Sequence, residues 1–178
     1  MPGASRTVPV VSVIGKGDSG KTTFLEKLIR EMASRGFRVA TVKHHVHDYD
    51  IDVPGKDSWR HARAGAAAAM VSSPEKFSLI RQVERELTLA ELSACAADAG
   101  CDILLTEGFK TSGAFRIEVS RAARSDEIIC DPSEMFALVT DNDAIDCGPD
   151  VPRFGLDDAA GVADLVQERF LEDVMELR

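Results

Sequence analysis

The sequence has few of the residues on which disulfide-rich, zinc-binding and membrane proteins depend. Among its 178 residues are four cysteines, one tryptophan and one tyrosine, and no two cysteines form a C-x-x-C pair. The cysteines therefore provide neither a zinc nor a redox motif, and free thiols are expected. No apolar run is long enough to cross a bilayer, and the polar residues 1–7 contain no signal-peptide core. These absences predict a cytoplasmic chain.

Basic residues are also in deficit. The chain carries 21 lysines and arginines against 30 aspartates and glutamates, which gives a formal net charge of −9. Because phosphate backbones and anionic lipids repel an acidic chain, neither nucleic acid nor a membrane surface is predicted as a partner. The length predicts one domain over residues 1–178, with room for a substantial core.

One glycine-rich stretch near the start carries a specific signal. Residues 8–14 are apolar and β-branched, which predicts a buried strand, and residues 24–32 have apolar side chains at helical spacing. The residues between them match the phosphate-binding pattern G-x-x-x-x-G-K-[ST] at every fixed position. The predicted nucleotide-binding residues are Gly15, Lys16, Gly17, Asp18, Ser19, Gly20, Lys21, Thr22 and Thr23.

The residue types in this stretch suit a triphosphate. The three glycines let backbone N–H groups approach phosphate oxygens. The helix that follows adds its positive end and its unpaired N–H groups. Lys21 supplies a positive charge for the β- and γ-phosphates, and the Thr22 hydroxyl is placed to ligate Mg²⁺.

Strand and helix patterns alternate along the rest of the chain. The first helix is predicted to end near Gly36, and two later helices to begin at Thr88 and at Asp157–Asp158, the last one running to Leu177. Strands are predicted over residues 37–43, 101–107, 115–119 and 136–140. This alternation predicts an α/β fold, a three-layer P-loop NTPase domain with a mostly parallel central sheet flanked by helices.

A less regular region lies between the second strand and Thr88. Asp57 and Ser58 are predicted to cap a helix through Arg63, and two strands at 66–72 and 76–81 are predicted to form a hairpin. The alanine run at 66–69 could instead continue the preceding helix.

A single acid and one cluster of histidines and aspartates are candidates for the chemistry. Glu107 ends a predicted strand and precedes a glycine, where a carboxylate could serve Mg²⁺ directly or through water, so Thr22 and Glu107 are the predicted metal residues. The stretch 44–58 holds three of the four histidines together with alternating aspartates. These could contact Mg²⁺ or phosphate, form a transition-metal site, or be solvated. The candidate catalytic residues are Lys21, Asp50 and Asp52.

These motifs together resemble those of the MobB family, the adapters of molybdopterin-guanine dinucleotide biosynthesis. The carrying stretches are T-V-K-H at 41–44, P-G-K-D-S at 54–58, S-P-E at 73–75, T-E-G-F-K at 106–110, I-E-V at 117–119 and L-V-T-D at 138–141. The resemblance implies a GTP-binding P-loop protein that requires Mg²⁺, is at most a slow GTPase, and forms a homodimer. It also implies a molybdenum cofactor guanylyltransferase as partner and molybdopterin as the molecule to which GMP is joined. Lys56, Arg60 and Arg63 are candidates for a pterin phosphate.

Two positions differ from simple expectation. Lys16 gives G-K-G-x-x-G-K-T, which resembles P-loop ATPase dimers in which a second lysine of the loop reaches the nucleotide of the opposite subunit. The segment Thr140–Asp143 keeps the spacing of the guanine-reading pattern [NT]-K-x-D but lacks its lysine. Guanine preference therefore rests on the family resemblance.

Two other functions remain open. A small-molecule kinase would use Asp50 or Asp52 as a base beside the γ-phosphate. A metal-delivery GTPase for another metalloenzyme would use the histidines and aspartates between residues 44 and 52.

Overall fold

The computed structural model describes residues 6–44, 50–109, 115–172 and 174. These residues form two compact units, a larger one over residues 1–44 and 89–178 and a smaller one over residues 45–88. That the two units belong to one domain over residues 1–178 stays a prediction. In chain order the elements are β1 Val10–Ile14, α1 Lys21–Ser34, β2 Val39–Lys43, α2 Asp57–Arg63, β3 Ala68–Ser72, β4 Phe77–Arg81, α3 Leu89–Asp98, β5 Ile103–Glu107, β6 Phe115–Ser120, β7 Met135–Thr140, β8 Arg153–Phe154 and α4 Ala159–Phe170.

A six-stranded sheet organises the larger unit. The strand order is β2-β5-β1-β6-β7-β8, and every pairing in it is parallel. This confirms the predicted α/β class with its mostly parallel central sheet. Because β1 lies between β5 and β6, the carboxyl ends of these three strands meet at the same edge of the sheet. Parallel α/β sheets bind ligands at such an edge.

Apolar side chains alternate between the two faces of the sheet, as the strand period requires. Val11 and Val13 belong to the cluster formed with α1 and α4, whereas Leu104 packs with Ala96 of α3 on the opposite face. Helices therefore lie on both faces, which confirms the three layers. On the half of the second face that carries Leu138 of β7, the cover comes from the stretches before and after that strand, through Ile128, Cys130, Ile145, Cys147 and Val151.

A buried carboxylate anchors the stretch that precedes β7. Glu118 in β6 is 1% exposed and accepts hydrogen bonds from the backbone N–H groups of Ile129 (2.8 Å) and Cys130 (2.8 Å). A buried charge is tolerated only when such donors replace water. Beside it, Arg116 in the same strand pairs with Glu134. Glu118 and Glu134 thus hold this stretch at a place where none of the α-helices in the described residues covers the sheet.

The smaller unit contains α2 and an antiparallel hairpin of β3 and β4. The predicted hairpin is confirmed, and the alternative in which the alanine run continues the helix is wrong, since α2 ends at Arg63 and Ala68 begins a strand. Neither Asp57 nor Ser58 caps α2, because the N-cap position is Lys56.

Several element bounds differ from the sequence patterns. The last helix starts as predicted, since Asp158 caps it by accepting a hydrogen bond from the Gly161 N–H, and its predicted end at Leu177 lies outside the described residues. The two-residue strand β8 is too short to give a periodic signal and was not predicted. The four cysteines are free thiols, as predicted. Among the described residues, no helix combines the length and apolarity needed to cross a membrane.

Candidate functional site

The phosphate loop joins β1 to α1 at the carboxyl edge of the sheet. Gly15, Asp18 and Gly20 have positive φ angles of 148°, 56° and 92°. A side chain at Gly15 would overlap the carbonyl oxygen of Val119 in β6 and lie 2.7 Å from the Ser19 hydroxyl oxygen. Only glycine fits here, because the loop backbone lies directly against the neighbouring strand.

The start of α1 has the features of an anion site. Its N-cap residue is Gly20, and no side chain caps the first turn. The N–H groups of the first turn of a helix have no partner within the helix, and the helix dipole favours negative charge there. The predicted phosphate-binding residues therefore share one loop and one helix start.

The two lysines of the loop take different directions. Lys21 Nζ lies 2.7 Å from the Lys16 carbonyl oxygen and donates to it, so the side chain folds back along the loop. Lys16 Nζ donates instead to Ser125 Oγ at 2.5 Å and to Glu127 Oε2 at 3.2 Å. Both partners belong to the same chain as Lys16, on the segment after β6. A role of Lys16 at the nucleotide of an opposite subunit stays a prediction.

Thr22 and Glu107, the two predicted metal residues, are brought together. The Thr22 hydroxyl donates to Glu107 Oε2 at 2.9 Å, and Lys43 Nζ lies 3.3 Å from Glu107 Oε1. Glu107 is held in place because it ends β5 in register with Lys43 of β2. A hydroxyl beside a carboxylate is a donor set that suits Mg²⁺, which takes only one or two protein oxygens in nucleotide sites.

The described residues contain no group of three or more histidines, cysteines, aspartates or glutamates that converge to hold a metal. Three of the residues predicted as possible ligands, His45, His47 and Asp48, lie in a stretch outside the described residues. Asp50 and Asp52 are described, and both belong to the smaller unit.

Within the smaller unit, each of these aspartates has a local partner. Asp50 Oδ2 accepts a hydrogen bond from Trp59 Nε1 at 3.0 Å, and Asp52 Oδ1 accepts one from the Val53 N–H at 2.8 Å. Asp52 Oδ2 is buried and has no hydrogen-bond partner among the described residues. Arg63 lies over the Trp59 ring at 5.1 Å.

Two arginines that sequence reasoning missed lie beside the loop. Arg124 Nε donates to the Gly17 carbonyl oxygen at 3.3 Å, and its Nη2 is 3.4 Å from Asp18 Oδ2. Arg121 Nε lies 3.7 Å from the position that a Cβ on Gly20 would take. Both follow β6, so only the pairing of β6 with β1 brings them to the loop. The sequence signal that could have pointed to them is two arginines closely following a predicted buried strand.

A cavity of about 150 Å³ lies on the β2 side of the loop. Thr22, Lys43 and Glu107 form its polar end, and its apolar wall comes from Leu25 and Ile29 of α1 together with Val42 of β2. The backbone N–H of His44 donates to the Glu107 carbonyl at 2.9 Å, and the His44 and Phe109 rings lie 4.5 Å apart. The stretches around Lys43 and Glu107 thus meet at the same site.

The family profile described as Molybdopterin guanine dinucleotide synthesis protein B (MobB) matches residues 10–141. The chain belongs to the MobB family. It is 34% identical over 166 residues to the molybdopterin-guanine dinucleotide biosynthesis adapter protein of Escherichia coli (strain K12), covering 90% of this chain and 93% of that protein.

Solved structures agree with this assignment. The crystal structure of Bacillus subtilis MobB matches with a TM-score of 0.71 and 26% identity, covering 91% of this chain and 98% of that one. A MobB homolog from Bacillus stearothermophilus matches with a TM-score of 0.66 over 90% of this chain and 96% of that one. At 24% identity, the second match supports the fold alone. Both the resemblance to MobB and the P-loop fold are confirmed.

The contrast between two loop glycines gives a direct test of this MobB phosphate loop. We expect Gly15→Ala to lower the free energy of unfolding by roughly 2–4 kcal/mol, because the new Cβ meets the β6 backbone at a strained φ. Gly17→Ala is the matched control, since nothing lies within 4 Å of a Cβ there. Urea denaturation of both variants measures the difference. Equal stability of the two would contradict the close approach of the loop to β6.

Proposed function

We propose that the chain binds GTP with Mg²⁺ in the phosphate loop and serves as an adapter in molybdenum cofactor biosynthesis. The observation that carries the nucleotide claim is the hydrogen bond from Thr22 to Glu107, at 2.9 Å. It joins the first turn of α1 to the end of β5, as P-loop sites require when a hydroxyl and a strand-end acid serve one metal ion. The preference for guanine rests on family membership.

The position of each site residue indicates whether it would bind phosphate or metal. Backbone N–H groups of residues 15–20 and the start of α1 would hold the phosphates, and Lys21 would leave the Lys16 carbonyl to pair with the β- and γ-phosphates. Thr22 and Glu107 would hold Mg²⁺, which neutralises phosphate charge when it is bound. Lys43 beside Glu107 keeps that carboxylate oriented.

Slow GTP hydrolysis would need a group that orients the attacking water. Asp50 and Asp52 remain the candidates, with Lys21 stabilising the developing charge. The carboxylates of both aspartates already accept hydrogen bonds within the smaller unit, and one oxygen of Asp52 is buried with no hydrogen-bond partner among the residues that the structure describes. An unsatisfied buried acceptor is costly, so a water or ligand that donates to this oxygen would be stabilising.

Binding measurements test the nucleotide claim directly. Wild-type protein with Mg²⁺ is expected to bind GTP more tightly than ATP in isothermal titration. Lys21→Ala should weaken GTP binding on the order of 100-fold, because a charged donor to the phosphates is lost. Arg30→Ala removes the same charge from an exposed position of the same helix and should leave affinity unchanged. Tighter binding of ATP, or unchanged affinity in Lys21→Ala, would refute the claim.

The homodimer is a second part of the proposal, and the β3–β4 hairpin supports it. Met70 and Phe77 are each 64% exposed, and Val71 and Leu79 are more than half exposed. These apolar side chains occupy both faces of a two-stranded ribbon, which is marginally stable alone. A second copy of the chain that pairs its own hairpin with this one would cover them.

Sedimentation velocity measures the oligomeric state. We expect the purified chain to sediment as a dimer, and Phe77→Lys to shift it towards the monomer, because a charge would be buried in the contact. Lys76→Glu, in the adjoining turn, controls for a charge change outside the strands. A wild-type monomer at micromolar concentration would contradict this part of the proposal.

The adapter role implies a cytoplasmic partner enzyme. Relatives named as adapter proteins of molybdopterin-guanine dinucleotide biosynthesis support a guanylyltransferase that joins GMP to molybdopterin. Lys56, Arg60 and Arg63 remain candidates for the pterin phosphate. Arg60 Nη1 lies 3.7 Å from Asp57 Oδ1, a loose ion pair, and its side chain is 70% exposed.

A pull-down tests the partnership. The tagged chain should retain purified molybdenum cofactor guanylyltransferase, and GTP with Mg²⁺ should increase the amount retained. Lys21→Ala should lose the increase but keep its fold, as circular dichroism would show. Absence of the enzyme from the bound fraction, with and without GTP, would overturn the adapter assignment.

A further inference from the structure

A second cavity lies on the β6 side of the phosphate loop and has no role in the phosphate or metal chemistry above. Its volume is about 90 Å³. It is bounded by α1, by the segment after β6 and by the segment after β8, through Gly20, Thr23, Phe24, Lys27, Arg121, Leu156 and Asp157. Because Gly20 and Thr23 belong to the phosphate loop, a ligand with phosphates in the loop reaches this cavity directly.

Asp157, at the rim of this cavity, is held by Lys27 and is still exposed to a ligand. Lys27 Nζ donates to Asp157 Oδ1 at 2.5 Å and to the Leu156 carbonyl at 3.1 Å. The hydrogen bond from Lys27 lowers the pKa of Asp157, so the group is a carboxylate at neutral pH. Its side chain is 96% exposed, which leaves it accessible to a ligand.

The acids of the Thr140–Asp143 segment are used differently. Asp141 Oδ1 accepts a hydrogen bond from the Ala122 N–H at 2.7 Å, which braces the segment after β6. Asn142 donates from its amide to Asp126 and accepts from the Ala144 N–H. Asp143 does not line the cavity. The segment Thr140–Asp143, which has the spacing of a guanine-reading motif, therefore has a structural role. The acid that lies beside the phosphate loop is Asp157.

We propose that the base of the nucleotide lies against this cavity, and that Asp157, at its exposed rim, is the residue that selects guanine. This rests on the proposed function, because it places the base of a nucleotide whose phosphates occupy the loop. The Leu156 side chain and the aliphatic stem of Lys27 provide apolar contact for a flat ring. The guanidinium of Arg121 provides a planar surface on which a base stacks.

The chemistry of a carboxylate explains the selection. Guanine presents two donors side by side, the N1–H and the N2 amino group, and one carboxylate accepts from both. Adenine presents an acceptor at N1, which a carboxylate repels. Xanthine has an oxygen in place of the N2 amino group, so it is rejected by aspartate and accepted by asparagine, which has a donor to offer.

The test is therefore an exchange of specificity. Asp157→Asn should weaken GTP binding on the order of 30-fold or more, since a charged acceptor is lost, and should strengthen xanthosine triphosphate binding at least about 10-fold over wild type. Asp143→Asn is the matched control and should change neither affinity. Isothermal titration with both nucleotides, with circular dichroism for folding, measures these effects.

The outcomes separate this inference from the proposed function. One outcome overturns the assignment of the base but leaves the proposal of GTP binding in place. In it, the wild type binds GTP, Lys21→Ala binds GTP much more weakly, and Asp157→Asn has wild-type affinity for both nucleotides. The assignment is also overturned if Asp143→Asn, rather than Asp157→Asn, exchanges the preference. A wild-type chain that binds no nucleoside triphosphate overturns both.

Discussion

The approach of Gly15 to the backbone of Val119 is the constraint on which the candidate site depends. The loop after β1 has no space for a side chain at its first residue, so its backbone lies against β6. That contact fixes the direction in which the loop leaves the sheet and enters α1. It also places Arg121 and Arg124, only a few residues beyond Val119, along the outer side of the loop.

The position of β1 between β5 and β6 gives the loop two chemically different sides. On the β5 side, Thr22 and Glu107 share a hydrogen bond, which suits a metal ion and the terminal phosphate. On the β6 side, Arg121 and the Lys27–Asp157 pair surround a cavity that suits the base in our proposal. A nucleotide bound in this way would cross the start of α1 from one side to the other.

The irregular segment after β6 needs its own support, because the part of the chain that the structure describes places no α-helix on the sheet beneath it. The buried Glu118 carboxylate binds the backbone of Ile129 and Cys130, and Asp141 binds the N–H of Ala122. Lys16 then links the phosphate loop to Ser125 and Glu127 of the same segment. Glu118 and Asp141 thus hold in place the residues that border the phosphate loop. With this support, a segment without regular secondary structure can be part of the candidate site.

The sequence by itself determined the fold class, the phosphate loop and the pairing of Thr22 with Glu107. These depend on local patterns, namely glycines at fixed spacing, apolar periodicity and an acid at a strand end, together with the rule that parallel strands end at one edge. It also indicated the MobB family through stretches such as T-E-G-F-K.

The tertiary structure alone decided what lies on the β6 side of the phosphate loop. Arg121, Arg124 and Asp157 are distant from the loop in sequence, and they reach it only because β6 pairs with β1 and the turn after β8 packs against α1. The same applies to the residues after β7, which keep the spacing of a guanine-reading motif without its lysine. The hydrogen bond that Asp141 accepts from the Ala122 N–H gives this segment a structural role, and spacing alone cannot say which groups lie near a side chain.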